Sequence, residues 1–153
     1  VVTVGLRANG LTAQIPGDRD ALGRLEVGDD LKVAGLDDVY ATGDVAHARV
    51  DDDGNYALMS CQHARTMGKY AGLNVVRDLT GTDPRPYRQG DYSTCLDLGN
   101  FGAVFTMGWD REVQTTGAEA KKRKEMINTQ WIYPPSGEKE DVFAALRIDE
   151  RGR

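Results

Sequence analysis

Val39-Tyr40-Ala41-Thr42-Gly43-Asp44-Val45-Ala46 reads as an apolar β-strand that ends at a glycine and a carboxylate. Gly43 lets the backbone approach a ligand closely, because it carries no Cβ. Asp44 can accept hydrogen bonds from a sugar-like hydroxyl, and the amides of Val45 and its neighbours can donate to a phosphate. Ligands of open α/β sheets bind in a crevice at strand C-termini, which suits this arrangement. The competing reading is an acid that merely caps the loop after a strand.

Working upstream, Leu25-Glu26-Val27 and Leu31-Lys32-Val33 alternate in the manner of two short strands, with Asp29-Asp30 at the bend. Residues 11–24 read as a loop, and Val1-Val2-Thr3-Val4 as the end of a buried strand, which suggests a truncated N-terminus. Downstream, Asp51-Asp52-Asp53-Gly54 marks a surface turn. Residues 57–79 then carry Ala57, Cys61, Ala64, Gly68, Ala71, Val75 and Leu79 at steps of three or four, which predicts a helix with a small-residue stripe as its buried face. Gly81, Pro84 and Pro86 stop it.

Residues 84–90 read as a linker, dividing the chain into a unit over 1–83 and a second over 91–153. In the latter, 92–98, 101–107 and 111–116 read as three strands of an antiparallel meander, with Gly99-Asn100 as a tight turn for the first pair. Ala118–Ile132 follows as a helix stopped by Pro134-Pro135, and the polar tail holds a short helical stretch near 142–146. The fold class is therefore α/β, or α+β for the chain taken alone.

Composition narrows the function. The chain is 40% apolar and 28% charged, ordinary for a globular domain. Its net charge of -5 speaks against nucleic acid as a partner, since phosphate binding needs a basic face. No run approaches the roughly 18 apolar residues of a spanning helix. A basic n-region and an apolar h-region are also missing, so the expected location is cytoplasmic. The spacing of Cys61 and Cys95, and of His47 and His63, fits no metal site.

The acid motif and its neighbours resemble the second flavin motif of the two-dinucleotide-binding flavoproteins. These are the FAD-dependent pyridine nucleotide(-disulphide) oxidoreductases, and the type II NADH dehydrogenases in particular. Val2-Thr3-Val4-Gly5-Leu6-Arg7-Ala8-Asn9 resembles the chain's return from the nicotinamide domain, and Gly23-Arg24-Leu25-Glu26-Val27 with Leu31-Lys32-Val33 resembles the strand pair that follows it. Ser60-Cys61-Gln62-His63-Ala64 resembles the segment at the start of the helix after the acid motif. Ala34 stands where the family usually has Thr, and Thr66 where a second Gln lies near the quinone pocket.

The resemblance implies an architecture: the closing part of an FAD-binding Rossmann-like domain, followed by a small antiparallel sheet-plus-helix domain of the interface or dimerisation type. It implies FAD as cofactor, with Gly43, Asp44, Val45, Cys61 and Gln62 binding it. Asp44 would hold a ribitol hydroxyl, and the Cys61–Gln62 turn would face the pyrimidine edge of the ring. NAD(P)H would be the substrate, bound outside this chain. The first phosphate loop of FAD and the nicotinamide domain would be supplied by missing N-terminal segments, because no Gly-x-Gly-x-x-Gly occurs here. A homodimer is implied, and contact with a quinone or with the cytoplasmic membrane face is left open.

Three further features carry weaker chemistry. Thr94-Cys95-Leu96-Asp97-Leu98-Gly99 resembles the redox-cysteine stretch of sulfide:quinone reductases, against the plainer reading of Cys95 as a core thiol. Lys121-Lys122-Arg123-Lys124 points all round a helix and reads as a solvated face. Taken alone, the chain could also be a non-catalytic interaction module.

Overall fold

A computed structural model of the chain describes residues 5–148. The strand expected over Val1–Val4 lies outside them. The described residues form two units, one of 5–89 with 146–148 and the other of Gly90–Ala145. The architecture is mixed α/β with a small antiparallel sheet, as an α+β chain requires.

In the first unit, Gly28–Lys32 forms the anticipated bend. The Gly28 amide donates to Lys32 O at 2.9 Å, and Val27 bridges Val33 across the hairpin. Leu31 takes φ +70° at this bend yet is fully buried. A left-handed leucine costs about 1–2 kcal/mol, and burial of its side chain offsets that. Strand β1 (Leu25–Glu26) pairs in parallel with β2 (Ala46–His47), Leu25 opposite Ala46 and Glu26 opposite His47.

The strand expected across Val39–Thr42 is reduced to a bridge between Tyr40 and Lys32, flanked by hydrogen bonds from Val33 N to Val39 O and from Ala41 N to Leu31 O. Extended backbone stops there because Gly43 turns to φ +69° and opens a 3-10 turn over Gly43–Val45.

Helix α1 covers Cys61–Leu79, four residues shorter at its start than its apolar spacing suggests. Ser60 is extended, and its side chain accepts from the His63 amide, so the helix is capped there. Its end is a Schellman arrangement. Thr82 N donates to Arg77 O, Gly81 N donates to Asp78 O, and Gly81 takes φ +67°.

The buried face of α1 also differs from the expected stripe. His63, Met67, Tyr70, Ala71 and Asn74 are buried, whereas Cys61 and Gly68 are exposed and Leu79 is 83% exposed. Asn74 explains the shift. Its amide nitrogen donates to Asp30 O at 3.0 Å and Arg85 O at 2.9 Å, while its oxygen accepts from Arg85 N at 2.8 Å. A polar side chain with three partners can be buried at little cost.

Residues 84–90 contain no helix or strand, yet 85–89 is fixed to the first unit. Tyr87 is fully buried edge-on to Tyr70, and its amide donates to Asp29 O at 2.6 Å. Arg88 reaches Asp29 at 2.8 Å. Arg88 is the chief cause that holds the Asp29 carboxyl below its ordinary range, aided by Arg49 against the opposing effect of burial.

The second unit is the expected meander: β3 (Ser93–Asp97), β4 (Ala103–Met107) and β5 (Glu112–Thr116) in the order β3-β4-β5, antiparallel throughout. Helix α2 (Gly117–Met126) follows directly and continues as a π-turn over Ile127–Trp131, so the expected helix over 118–132 loses its regular geometry after Met126. A third helix, α3, spans Lys139–Leu146. Ala103, Phe105 and Ala120 form the small core of this unit, with Cys95 packed against it. Tyr92 stacks on Trp109 at 4.5 Å.

The basic run of α2 diverges as its spacing requires. Lys121 pairs with Asp97 at 2.7 Å, while the Arg123 guanidinium lies 3.9 Å from the centre of the Phe105 ring. The turn into β4 and the start of α2 meet at Gly102 and Gly117. A Cβ on Gly102 would lie 2.5 Å from the Gly117 backbone, and Gly102 itself takes φ +90°.

Two substitutions test these packing arguments. Asn74→Leu strands three backbone partners and should destabilise the first unit by about 2–4 kcal/mol in denaturant unfolding followed by circular dichroism. Gly102→Ala should cost the second unit about 2–4 kcal/mol through strain and forced separation of helix from sheet. Both tryptophans lie in the second unit, so their fluorescence should register Gly102→Ala and leave Asn74→Leu nearly silent.

Candidate functional site

The acid motif and the beginning of α1 come together in the first unit. A Cβ on Gly43 would stand 3.5 Å from the Ala64 Cβ, so the 3-10 turn lies against the first turn of the helix. The left-handed φ of Gly43 permits this turn. Asp44 follows it with an exposed side chain that makes no hydrogen bond or ion pair with another described residue.

At the helix end, Cys61 is exposed and Gln62 half-buried. The Gln62 carbonyl accepts from Gln89 Nε2 and from Thr66 Oγ1, each at 3.3 Å. An α-helix leaves its first amides without intrahelical acceptors and carries a partial positive charge there. Ser60 occupies one such amide and also lies 3.0 Å from His63 Nδ1 through its hydroxyl. Gly43, Asp44 and Val45 are thus neighbours of the turn that holds Cys61 and Gln62. Together they offer one carboxylate acceptor beside a set of backbone donors, which suits a polyhydroxyl chain attached to an electron-rich ring.

Two supports hold this arrangement in place. Arg24, 8% exposed, donates to Ala57 O at 2.7 Å and pairs with Asp20 at 2.7 Å, which ties the loop before β1 to the chain just ahead of Ser60. Burial alone would raise the Asp20 carboxyl, but the hydrogen bonds and charge of Arg24 outweigh it and hold it low. His47 stacks on Tyr56 at 4.1 Å, and its Nδ1 lies 2.9 Å from the Glu26 carboxylate. It is a cross-strand pair of β1 and β2.

Cys95 lies in the second unit, where its thiol donates weakly to Ala120 O at 3.7 Å beside the apolar core. Both cysteines are free thiols. Among the described residues no cluster of His, Cys, Asp or Glu could hold a metal ion, and no helix is long and apolar enough to cross a membrane.

Sequence reasoning missed Arg24, Tyr87 and Gln89 as supports. Ser60 had a readable signal, a hydroxyl residue immediately ahead of the helix. Gln89 had none, because its role depends on a contact 27 residues away.

Comparison with known proteins adds relatives but no family. No protein-family model matches the chain. NADH dehydrogenase-like proteins from two strains of Mycobacterium tuberculosis are each 51% identical to it over 142 residues, covering 92% of this chain. The chain spans 35% of the length of each of these relatives.

His63 gives the site a pH signature. It is fully buried, and burial lowers its imidazole from 6.5 to about 4. The folded state then binds fewer protons than the unfolded one between those values. Stability contributed by the neutral ring is complete above 6.5 and declines as pH falls toward about 4. Unfolding free energy measured across this window should slope upward with pH, and His63→Gln, which never charges, should flatten the slope.

Proposed function

We propose that this chain is the C-terminal portion of a flavoprotein that transfers hydride from NAD(P)H to FAD and passes the electrons to a quinone or another acceptor. One observation carries the reading: the Asp44 carboxylate, exposed and without a partner among the described residues, sits on a glycine turn that lies against the amide-rich end of α1. The printed name of the two mycobacterial relatives, NADH dehydrogenase-like, supports the same oxidoreductase class.

The residues present fit one side of the cofactor. Asp44 would accept from a ribitol hydroxyl, the backbone of Gly43 and Val45 would line the diphosphate, and the Cys61–Gln62 turn would face the pyrimidine edge. FAD, once bound, supplies the hydride-accepting chemistry. The contribution of this chain is position and field. The aligned peptide dipoles of α1 favour negative charge next to its first turn, and they need no reorganisation to do so. The glycine-rich phosphate loops and the NAD(P)H site belong to the part of the longer protein that this chain does not supply, so the chain alone is inactive.

The second unit fits a contact role. Leu96, Phe101 and Val113 are 62%, 87% and 58% exposed, and apolar surface of this kind is commonly covered by a second subunit or a membrane surface. We assign it to a homodimer contact, with peripheral membrane contact as the other use of the same surface. Cys95 as a sulfide-oxidising thiol is disfavoured by its packing among Ala103, Phe105 and Ala120.

In the full-length protein, Asp44→Ala should weaken FAD binding by about 10–100-fold, the worth of a hydrogen bond to a charged group. Flavin fluorescence on serial dilution reads this directly. Unchanged retention would reject the assignment.

A further inference from the structure

Gln89 ends the longer segment of the first unit, and it is bound into the candidate site from two directions. Its amide nitrogen in the backbone donates to Val50 O at 2.8 Å. Its side-chain oxygen accepts from the Tyr87 hydroxyl at 3.0 Å, and its side-chain nitrogen donates to the Gln62 carbonyl at 3.3 Å. The orientation of that amide is fixed chemically, because a carbonyl can only accept and must face the nitrogen. Tyr87 is fully buried, and burial pushes its phenol upward, so it remains a donor throughout the physiological range. The relay therefore runs in one sense, from Tyr87 through Gln89 to the opening turn of α1.

That turn is the one that Gly43 packs against. A helix end is the part of a helix most prone to fray, since its first residues lack a full set of intrahelical bonds. Pinning the Gln62 carbonyl from outside limits that fraying at the place where a ligand would meet the amides.

We propose that Gln89 is a positioning residue, which through Tyr87 and the Gln62 carbonyl holds the first turn of α1 in the geometry the site uses. The proposal rests on the reading that this turn faces the cofactor. It does not require Gln89 to touch the cofactor.

Amide hydrogen exchange on the 153-residue chain, with no flavin present, tests the relay. Gln89→Leu removes both side-chain bonds. Gln89→Glu keeps an acceptor for Tyr87 but cannot donate to Gln62. Both should speed exchange at Ala64, Arg65 and Thr66 by about three- to tenfold, with Met67 to Val75 unchanged. Unchanged rates at Ala64–Thr66, or an equal rise along the whole helix, would overturn the proposal. In the full-length protein Gln89→Leu should weaken FAD binding less than Asp44→Ala does. Should the exchange effect appear while Asp44→Ala keeps its flavin, the cofactor assignment falls and the relay stands.

Discussion

Asn74 ties together three parts of the first unit: helix α1, the hairpin bend at Asp30, and the extended chain at Arg85. All of its polar capacity used here goes to backbone groups. The helix is thereby fixed in rotation. Once Asn74 faces inward, Met67 and Tyr70 must follow it by helical spacing, and His63 at the N-terminal end is carried in as well. The site inherits this geometry, because the same rotation decides which residues of the first turn look toward Gly43.

Much of the architecture could be read from sequence, for reasons that differ by element. The meander was legible from three short runs set off by a turn signal at Gly99-Asn100, where Gly99 takes a positive φ. The hairpin over 25–33 was legible from its paired aspartates. The rotation of α1 was not, since hydropathy counts asparagine and histidine as surface residues, and the backbone partners that let Asn74 face inward lie elsewhere in the sequence. The same blindness hid the role of 85–89. Prolines and charges there suggest a connector, whereas Tyr87 and the Arg88–Asp29 pair make it part of the packed unit.

At the site, residue type was more informative than pattern. Glycine followed by aspartate after an apolar run was enough to expect a turn presenting a carboxylate, and the structure brings that turn against α1. What holds the turn could not be inferred, since Arg24 reaches Ala57 across 33 positions of sequence. Long-range supports of this kind leave no local trace. They also explain how an exposed carboxylate with no partner among the described residues can be tolerated: a surface acid costs little, while the backbone beneath it is bound firmly from several sides.

The buried imidazole of His63 has a bearing on charge at this end of α1. With the ring uncharged throughout the neutral range, His63 adds no proton-dependent charge there, and the peptide dipoles of the helix do not titrate either. Any molecule seated against the turn would find in this histidine neither a positive charge nor a proton to take up. A pH dependence of its affinity would have to come from other groups.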